Sequence, residues 1–251
     1  MLRIRRAFVV GFAIVGAGAA WADISDVVLN VWTSNGSGTA VWQAPLSAGD
    51  SQGGTYTWDL AAPLALTDAG TSETVATLLD AHVTVVNNGF TRAVNVAFDV
   101  QSGDTDTEFI IDSPLLSFAP IPAQRAEGRA SASVTVRDQA GGVAWLTGLG
   151  TPGNGAYHPQ YNGMAPNGTG FTSNGLVASI FAGAGLASAT QNDPPSGTRP
   201  FGTSVDSLSA RSAFLLSAGD IAEFTTQFHA VPEPTALALL LLGAAACSRR
   251  R

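Results

Sequence analysis

The chain contains no lysine; all twelve of its basic residues are Arg. Its one cysteine, Cys247, sits in an apolar run near the C-terminus. The long stretch between the terminal segments therefore offers no disulfide and no thiol nucleophile. Histidine is scarce: His82, His158 and His229 are the three, and none stands in an H-E-x-x-H or similar ligand spacing. No G-x-S-x-G elbow is present. These absences remove the commonest nucleophilic and metal-dependent chemistries, so neither a cofactor nor a metal site is expected.

Positive charge is short as well. Between residues 23 and 230 there are 18 acidic residues and 6 Arg, a net of about −12. An acidic, lysine-free stretch argues against nucleic acid and anionic membrane as partners. It suits a soluble exported protein. Its 208 residues are enough for one sizeable domain.

Both ends read as targeting segments. Arg3, Arg5 and Arg6 precede the apolar run Ala7 to Ala19, and Ala20-Trp21-Ala22 follows. A basic region, a short apolar core and an A-x-A site predict a signal peptide over 1–22 and a mature start at Asp23. At the other end Val231-Pro232-Glu233-Pro234 leads into Thr235 to Cys247, then Ser248-Arg249-Arg250-Arg251. Proline cannot continue a preceding strand and holds its neighbours extended. The 13-residue apolar run makes roughly 20 Å of helix at about 1.5 Å per residue. A stable span needs about 20 residues. A marginal span closed by Arg suits a temporary anchor whose end stays cytoplasmic.

That tail resembles the PEP-CTERM sorting signal: a Pro-Glu-Pro motif, a short hydrophobic helix and a terminal Arg cluster. The resemblance covers the last 21 residues only. It implies export, a transient inner-membrane anchor and cleavage near the motif by an exosortase. Pro232, Glu233 and Pro234 would serve recognition, and Arg249, Arg250 and Arg251 topology. The implied partners are the exosortase and the general secretion machinery, with exopolysaccharide as a candidate ligand. The implied destination is the cell surface or the extracellular matrix. The domain plan is then 1–22 signal peptide, 23–230 folded domain and 231–251 sorting signal.

The region 23–230 reads as β throughout. Val83 to Val86 meets Asn88-Gly89, and Val94, Val96, Phe98 and Val100 then alternate with Asn95, Ala97 and Asp99. Period two around Asn-Gly predicts a hairpin over Ala81 to Val100. A second hairpin is expected over Ala130 to Leu149, turning at Asp138 to Gly142. A third is expected around Ser217-Ala218-Gly219-Asp220, between Ala213–Leu216 and Ile221–Phe228. Further strands are expected at Val27–Trp32, Ala40–Gln43, Thr55–Leu60, Phe109–Ile111, Leu115–Phe118 and Leu176–Phe181. Ser72 to Ala81 is read as strand rather than helix. The sum is all-β: a two-sheet antiparallel β-sandwich, of which the jelly roll is one form.

Gly150 to Gly175 reads as the one long irregular segment, and such loops tend to carry function. It holds Tyr157, His158 and Tyr161, candidate carbohydrate-binding residues because rings stack on sugar faces; the competing reading has the aromatics pin the loop to the domain. Asp104, Asp106 and Glu108 alternate, with Asp112 beyond. They could hold Ca²⁺, but they lack the EF-hand pattern and read better as a solvated strand end. His82, on a wet hairpin face, and His229, in the approach to the linker, carry no signal. Asn35-Gly36-Ser37 and Asn167-Gly168-Thr169 match the N-glycosylation pattern without further support. The expected function is that of an exported, non-enzymatic surface or matrix protein of structural or adhesive type. The alternatives are a carbohydrate-binding module for exopolysaccharide and a secreted glycan hydrolase on a jelly-roll scaffold.

Overall fold

The computed structural model describes residues 23–232, apart from positions 37, 53 and 152. The expected signal peptide, with Ala20 and Ala22, lies outside the described residues. So do Glu233, Pro234, the hydrophobic helix expected after them, and Arg249, Arg250 and Arg251.

Alternation sets the layout. Along Arg92–Ser102, Val94, Val96, Phe98 and Val100 are buried while Asn95, Ala97 and Asp99 are half-buried. The same period runs through Ala126–Arg137 and Ile221–Pro232. A strand with one dry and one wet face needs a second layer over the dry side. Two antiparallel sheets supply it.

The first sheet runs Asp23–Ile24, Leu116–Ile121, Val205–Leu216, Thr107–Asp112, Val27–Ser34, Thr39–Pro45. Tyr157–Tyr161 and Ala144–Gly148 also pair with Val205–Leu216, and Ser179–Gly183 extends the sheet beyond Ala144–Gly148. The second sheet runs Leu186–Asp193, Ala126–Arg137, Ile221–Pro232, Arg92–Ser102, Thr74–Asn87, Thr55–Asp59, Asp50–Gln52. Among the described residues there is no α-helix, only a 3-10 turn at Leu46–Ala48. The all-β class and the two-layer antiparallel arrangement agree with the sequence expectation, as does strand structure over most of Ser72 to Ala81.

Phenylalanines join the layers. Phe224 of the second sheet stacks on Phe98 and on Phe214 of the first, at centroid distances of 4.7 and 4.6 Å. Phe109 continues the stack at 5.3 Å from Phe214. A second cluster, Tyr161, Phe171, Phe201 and Phe228, closes the other end of the interior.

The first expected hairpin forms. Thr74–Asn87 and Arg92–Ser102 pair in register from Asn87↔Arg92 onward, and the Asn88 side chain accepts the amides of Phe90 and Thr91 at 3.2 and 2.9 Å. The other two are corrected. Ala126–Arg137 lies in the second sheet and Ala144–Gly148 in the first, so residues 138–143 cross between layers. The returning arm had no edge to pair with, because Ala126–Arg137 is already flanked by Leu186–Asp193 and Ile221–Pro232. The turn Ser217 to Asp220 likewise joins Val205–Leu216 in one sheet to Ile221–Pro232 in the other.

Two boundaries also differ. Gly150 to Gly175 is not uniformly irregular: Tyr157–Tyr161 is a strand beside Val205–Leu216, and Thr169–Gly170 pairs with it. The last strand does not stop at 230. It continues through Val231 to Pro232, opposite Ala126. Proline is tolerated at a strand's end, where one ladder hydrogen bond fewer costs little. His229 accordingly lies inside a central strand, half-buried between Arg129 and Ala93, rather than in a linker.

Candidate functional site

The aromatic residues picked from the sequence point inward or lie covered. Tyr157 is 1% exposed, Tyr161 8% and His158 6%. The Tyr157 hydroxyl lies beside Thr226 in the interior, and burial pushes its pKa up. Tyr161 meets Phe201 edge-on at 4.9 Å. None of these rings offers a free face to a sugar, which is the competing reading of the segment: the aromatics hold it to the sandwich.

His158 takes part in a polar row on the outer face of the first sheet. The register places Gln43, Asn30, Asp112, Arg211 and His158 side by side across five strands. Arg211 donates from Nε and Nη2 to the two Asp112 carboxylate oxygens at 2.6 and 2.7 Å. His158 Nε2 donates to the Gly155 carbonyl at 2.9 Å, so its proton sits on Nε2. Burial holds the His158 pKa below the ordinary value, although the Gly155 carbonyl favours the cation; neighbouring Arg211 adds to the depression. His158 thus stands beside the Arg211–Asp112 pair and is held by the Gly155 carbonyl.

One and two steps along the strands, the same outer face turns apolar. Val41, Trp32, Ile110 and Ala213 form the next row by register. Leu215 lies beside Thr147 in the row after that, and Trp145 faces Phe181 beyond it. Phe181 is 72% exposed and Val41 62%. Trp32, Ile110, Leu215 and Trp145 are half-buried, as ring and aliphatic side chains standing on a sheet face are. An indole, two branched aliphatics, a second indole and a phenyl thus run across one sheet face. Exposed apolar groups arranged contiguously mark a contact surface. Sequence reading passed over these residues. Their signal was there: Trp32 and Trp145 are the large residues at the wet positions of period-two strands.

The outer face of the second sheet is chemically opposite. One row reads Thr57, Thr84, Asn95, Gln227, Ser131, Asn192, and the next reads Asp59, His82, Ala97, Thr225, Ser133, Thr190. Cross-strand hydroxyl pairs stitch it together, Ser133 to Thr190 at 2.9 Å and Thr135 to Ser188 at 2.8 Å. On this face His82 is not idle: Nδ1 meets Asp59 at 2.5 Å and Nε2 meets Thr84 Oγ1 at 2.8 Å. The order carboxylate, imidazole, hydroxyl is that of a relay. All three residues stand on paired strands, with Asp59 opposite His82 and Thr84 opposite Thr57.

The acids do not gather into a site. Asp106 accepts the Ala218 amide at 3.1 Å, and Asp112 is held by Arg211. Asp104 and Asp106 precede the strand Thr107–Asp112 on which Glu108 lies. Among the described residues no three His, Cys, Asp or Glu side chains stand together as metal ligands. Asp80, Asp99 and Glu223 do share a row on the second sheet. Burial, then Glu223 and Asp80, push the Asp99 pKa up, while Arg137 pulls it down.

No protein-family model matches the chain, and no curated protein matches it. Among solved structures it is similar to the glycoside hydrolase domain of Endo-D from Streptococcus pneumoniae R6, at 9% identity and a TM-score of 0.22. That match covers 70% of this chain and 22% of the other, so the chain spans about a fifth of that protein's length. It is also similar to a structure of the infectious bursal disease virus Gx strain, at 10% identity and a TM-score of 0.26, covering 91% of this chain and 87% of that one. Likenesses this distant carry no argument about activity.

Proposed function

We propose that this chain is an exported, non-enzymatic surface or matrix protein of structural or adhesive type, delivered through a PEP-CTERM signal and trimmed by an exosortase. The observation that carries the adhesive reading is the stripe Val41, Trp32, Ile110, Leu215, Trp145 and Phe181 on a solvent face of the first sheet. The delivery reading draws support from the end of the fold. The last described strand ends at Pro232, the first residue of the Pro-Glu-Pro motif, so the motif follows the folded domain directly in sequence.

The chemistry of the stripe favours a polysaccharide over a protein groove as the thing adhered to. Flat rings spaced along a sheet present faces for pyranose C–H stacking, and Ser34, Glu108 and Thr147 in the adjoining row can reach hydroxyls. Co-sedimentation of the exported protein with the producing cells' exopolysaccharide tests this. Saturable binding is expected, and it should be lost when Trp32 and Trp145 are changed to Ala. A Thr225→Ala variant, on the opposite face, should bind like the wild type. Binding unaffected by the Trp changes would sink the stripe as the adhesive face.

Delivery is tested apart from the fold by changing Glu233 and Pro234 to Ala while leaving Pro232 in its strand. Full-length protein should then stay in the inner membrane. Release at normal size would refute the sorting role.

A further inference from the structure

Asp23 and Pro232, the first and last described residues, lie at the same end of the sandwich. Asp23–Ile24 runs antiparallel to Leu116–Ile121, with Asp23 opposite Ser117, so its N-terminal end is the one nearer Ile121. Ile221–Pro232 runs antiparallel to Ala126–Arg137, with Pro232 opposite Ala126, so its C-terminal end lies beside Ala126. Ile121 and Ala126 flank one tight turn, closed by the Arg125 amide on the Pro122 carbonyl at 2.8 Å. That turn marks the exit end of the domain, where Asp23 and Pro232 lie.

Charge is segregated along the same axis. Four of the six Arg between the terminal segments lie at the exit end: Arg92, Arg125, Arg129 and Arg199. The acids there, Glu127, Asp193 and Asp206 among them, leave that end close to neutral, and Asp193 is already matched by Arg199 at 3.1 Å. The opposite end carries Asp68, Glu73, Asp104, Asp106, Asp138 and Asp220 in its turns, against Arg137 alone. Ala126–Arg137 runs the whole way in twelve residues, about 35–40 Å at roughly 3.3 Å per residue. That is several times the Debye length of about 8 Å at physiological salt. Most of the net −12 that argues against an anionic surface thus lies away from the exit end, and the part at the far turns is screened from it.

The exit end also carries an exposed phenyl ring. Phe90 is 79% exposed, at the tip of the turn between Asn87 and Arg92. The turn is fixed: Asn88 accepts the Phe90 and Thr91 amides, and Arg92 Nη1 donates to the Gly89 carbonyl at 2.5 Å. Arg92 pairs with Ala230, two residues before the strand ends at Pro232. A rigid aromatic tip flanked by Arg is the composition that settles at a bilayer interface.

We infer that, while tethered, the domain stands on this end, with Phe90 in the interface of an anionic lipid bilayer, Arg92 and Arg125 over its headgroups, and the acidic end held away. The inference rests on the sorting reading for the tether. It would hold the end of the last strand, at Pro232, at a fixed height above the bilayer and keep the apolar stripe upright, facing sideways into the matrix.

The full chain is tested in a Cys247→Ser background, with single cysteines at Phe90→Cys or Thr105→Cys carrying an environment-sensitive fluorophore. It is reconstituted into vesicles containing phosphatidylglycerol, with vesicles of phosphatidylcholine alone as the second arm. Label at 90 should shift to the blue and lose iodide quenching on the anionic vesicles, less so on the zwitterionic ones, while label at 105 stays as free as in buffer. An anchored chain with both labels equally quenched overturns this inference alone. A chain that stays off the vesicles altogether overturns it together with the sorting reading. As a second variant, Arg92→Gln with Arg125→Gln should restore quenching at an intact residue-90 tip; an unchanged signal removes the role given to the Arg pair.

Discussion

Arg211 and Asp112 form a two-bond ion pair across neighbouring strands, at 2.6 and 2.7 Å, on the outer face of the first sheet. The Asp112 side chain is 9% exposed and that of Arg211 22%. A pair this covered is expensive to break from one side, because the remaining charge keeps its desolvation penalty without its partner. Asp112→Ala should therefore cost about 3 kcal/mol in urea unfolding. Replacing both residues by Leu should restore most of that loss. If single and double variants are equally destabilised, the cost lies in packing and the pair has been misjudged.

Phe224 makes the contacts that hold the two layers together, stacked on Phe98 and Phe214 at 4.7 and 4.6 Å. Truncation to Ala removes a fully buried ring between two others and leaves a cavity that the sheets cannot close. The expected loss is about 3–5 kcal/mol, read from the denaturation midpoint at an unchanged slope. Phe224→Leu should keep more than half of it. A loss near zero would mean that the layers are held elsewhere.

The period-two runs account for how much of this could be read beforehand. Val94, Val96, Phe98 and Val100 announce a half-buried strand, and Asn88-Gly89 announces its turn. Turn residues do not say which layer the chain re-enters, so Asp138 to Gly142 and Ser217 to Asp220 read as hairpins although both cross between sheets. Leu186–Asp193 is illegible in the sequence because its inward face carries only Ala187 and Ala189, half-buried against the core, while Leu186 points out, so the alternation has almost no hydrophobic contrast. The site failed for a related reason. Tyr157 and Tyr161 look like ligand residues in a Gly-rich stretch, but register with Ser212 and Leu208 buries them. Trp32 and Trp145 look like core residues, and the same kind of register turns them out.

Acid should destabilise the protein from an unexpectedly high pH. Burial depresses the pKa of both His158 and His229, each further lowered by a nearby Arg, Arg211 and Arg129 respectively. Below the unfolded value of about 6.5 the unfolded chain takes up protons that the folded chain refuses. Stability is therefore full above about pH 6.5 and falls as pH drops toward the folded values. Asp99 acts with the opposite sign. Its raised pKa makes the folded state the better proton acceptor, so its protonation partly offsets the loss at lower pH. Urea midpoints should drop between about pH 7.5 and about pH 5.5. His158→Gln, which keeps a donor for the Gly155 carbonyl, should flatten that slope. A midpoint constant across this range in the wild type would contradict the lowered pKa of both rings.

Gly128 lies under the Phe201 ring at the exit end, and a Cβ there would collide with that ring while approaching the His229 carbonyl to 2.9 Å. Phe201 cannot move freely. It packs against Tyr161 at 4.9 Å and Phe171 at 5.0 Å, and Arg199 lies 4.2 Å from the Phe171 ring centroid. The collision is therefore passed into the second aromatic cluster instead of being relieved by one rotamer change. Gly128→Ala should cost about 1–3 kcal/mol, the range of overpacking. At about 2–4 °C per kcal/mol for a domain of this size, the thermal midpoint should fall by several degrees. Gly142→Ala, where nothing stands within 4 Å, is the control and should leave the midpoint unchanged. Equal midpoints for the two variants would mean that Phe201 yields at no cost and that the cluster at the exit end is loosely packed.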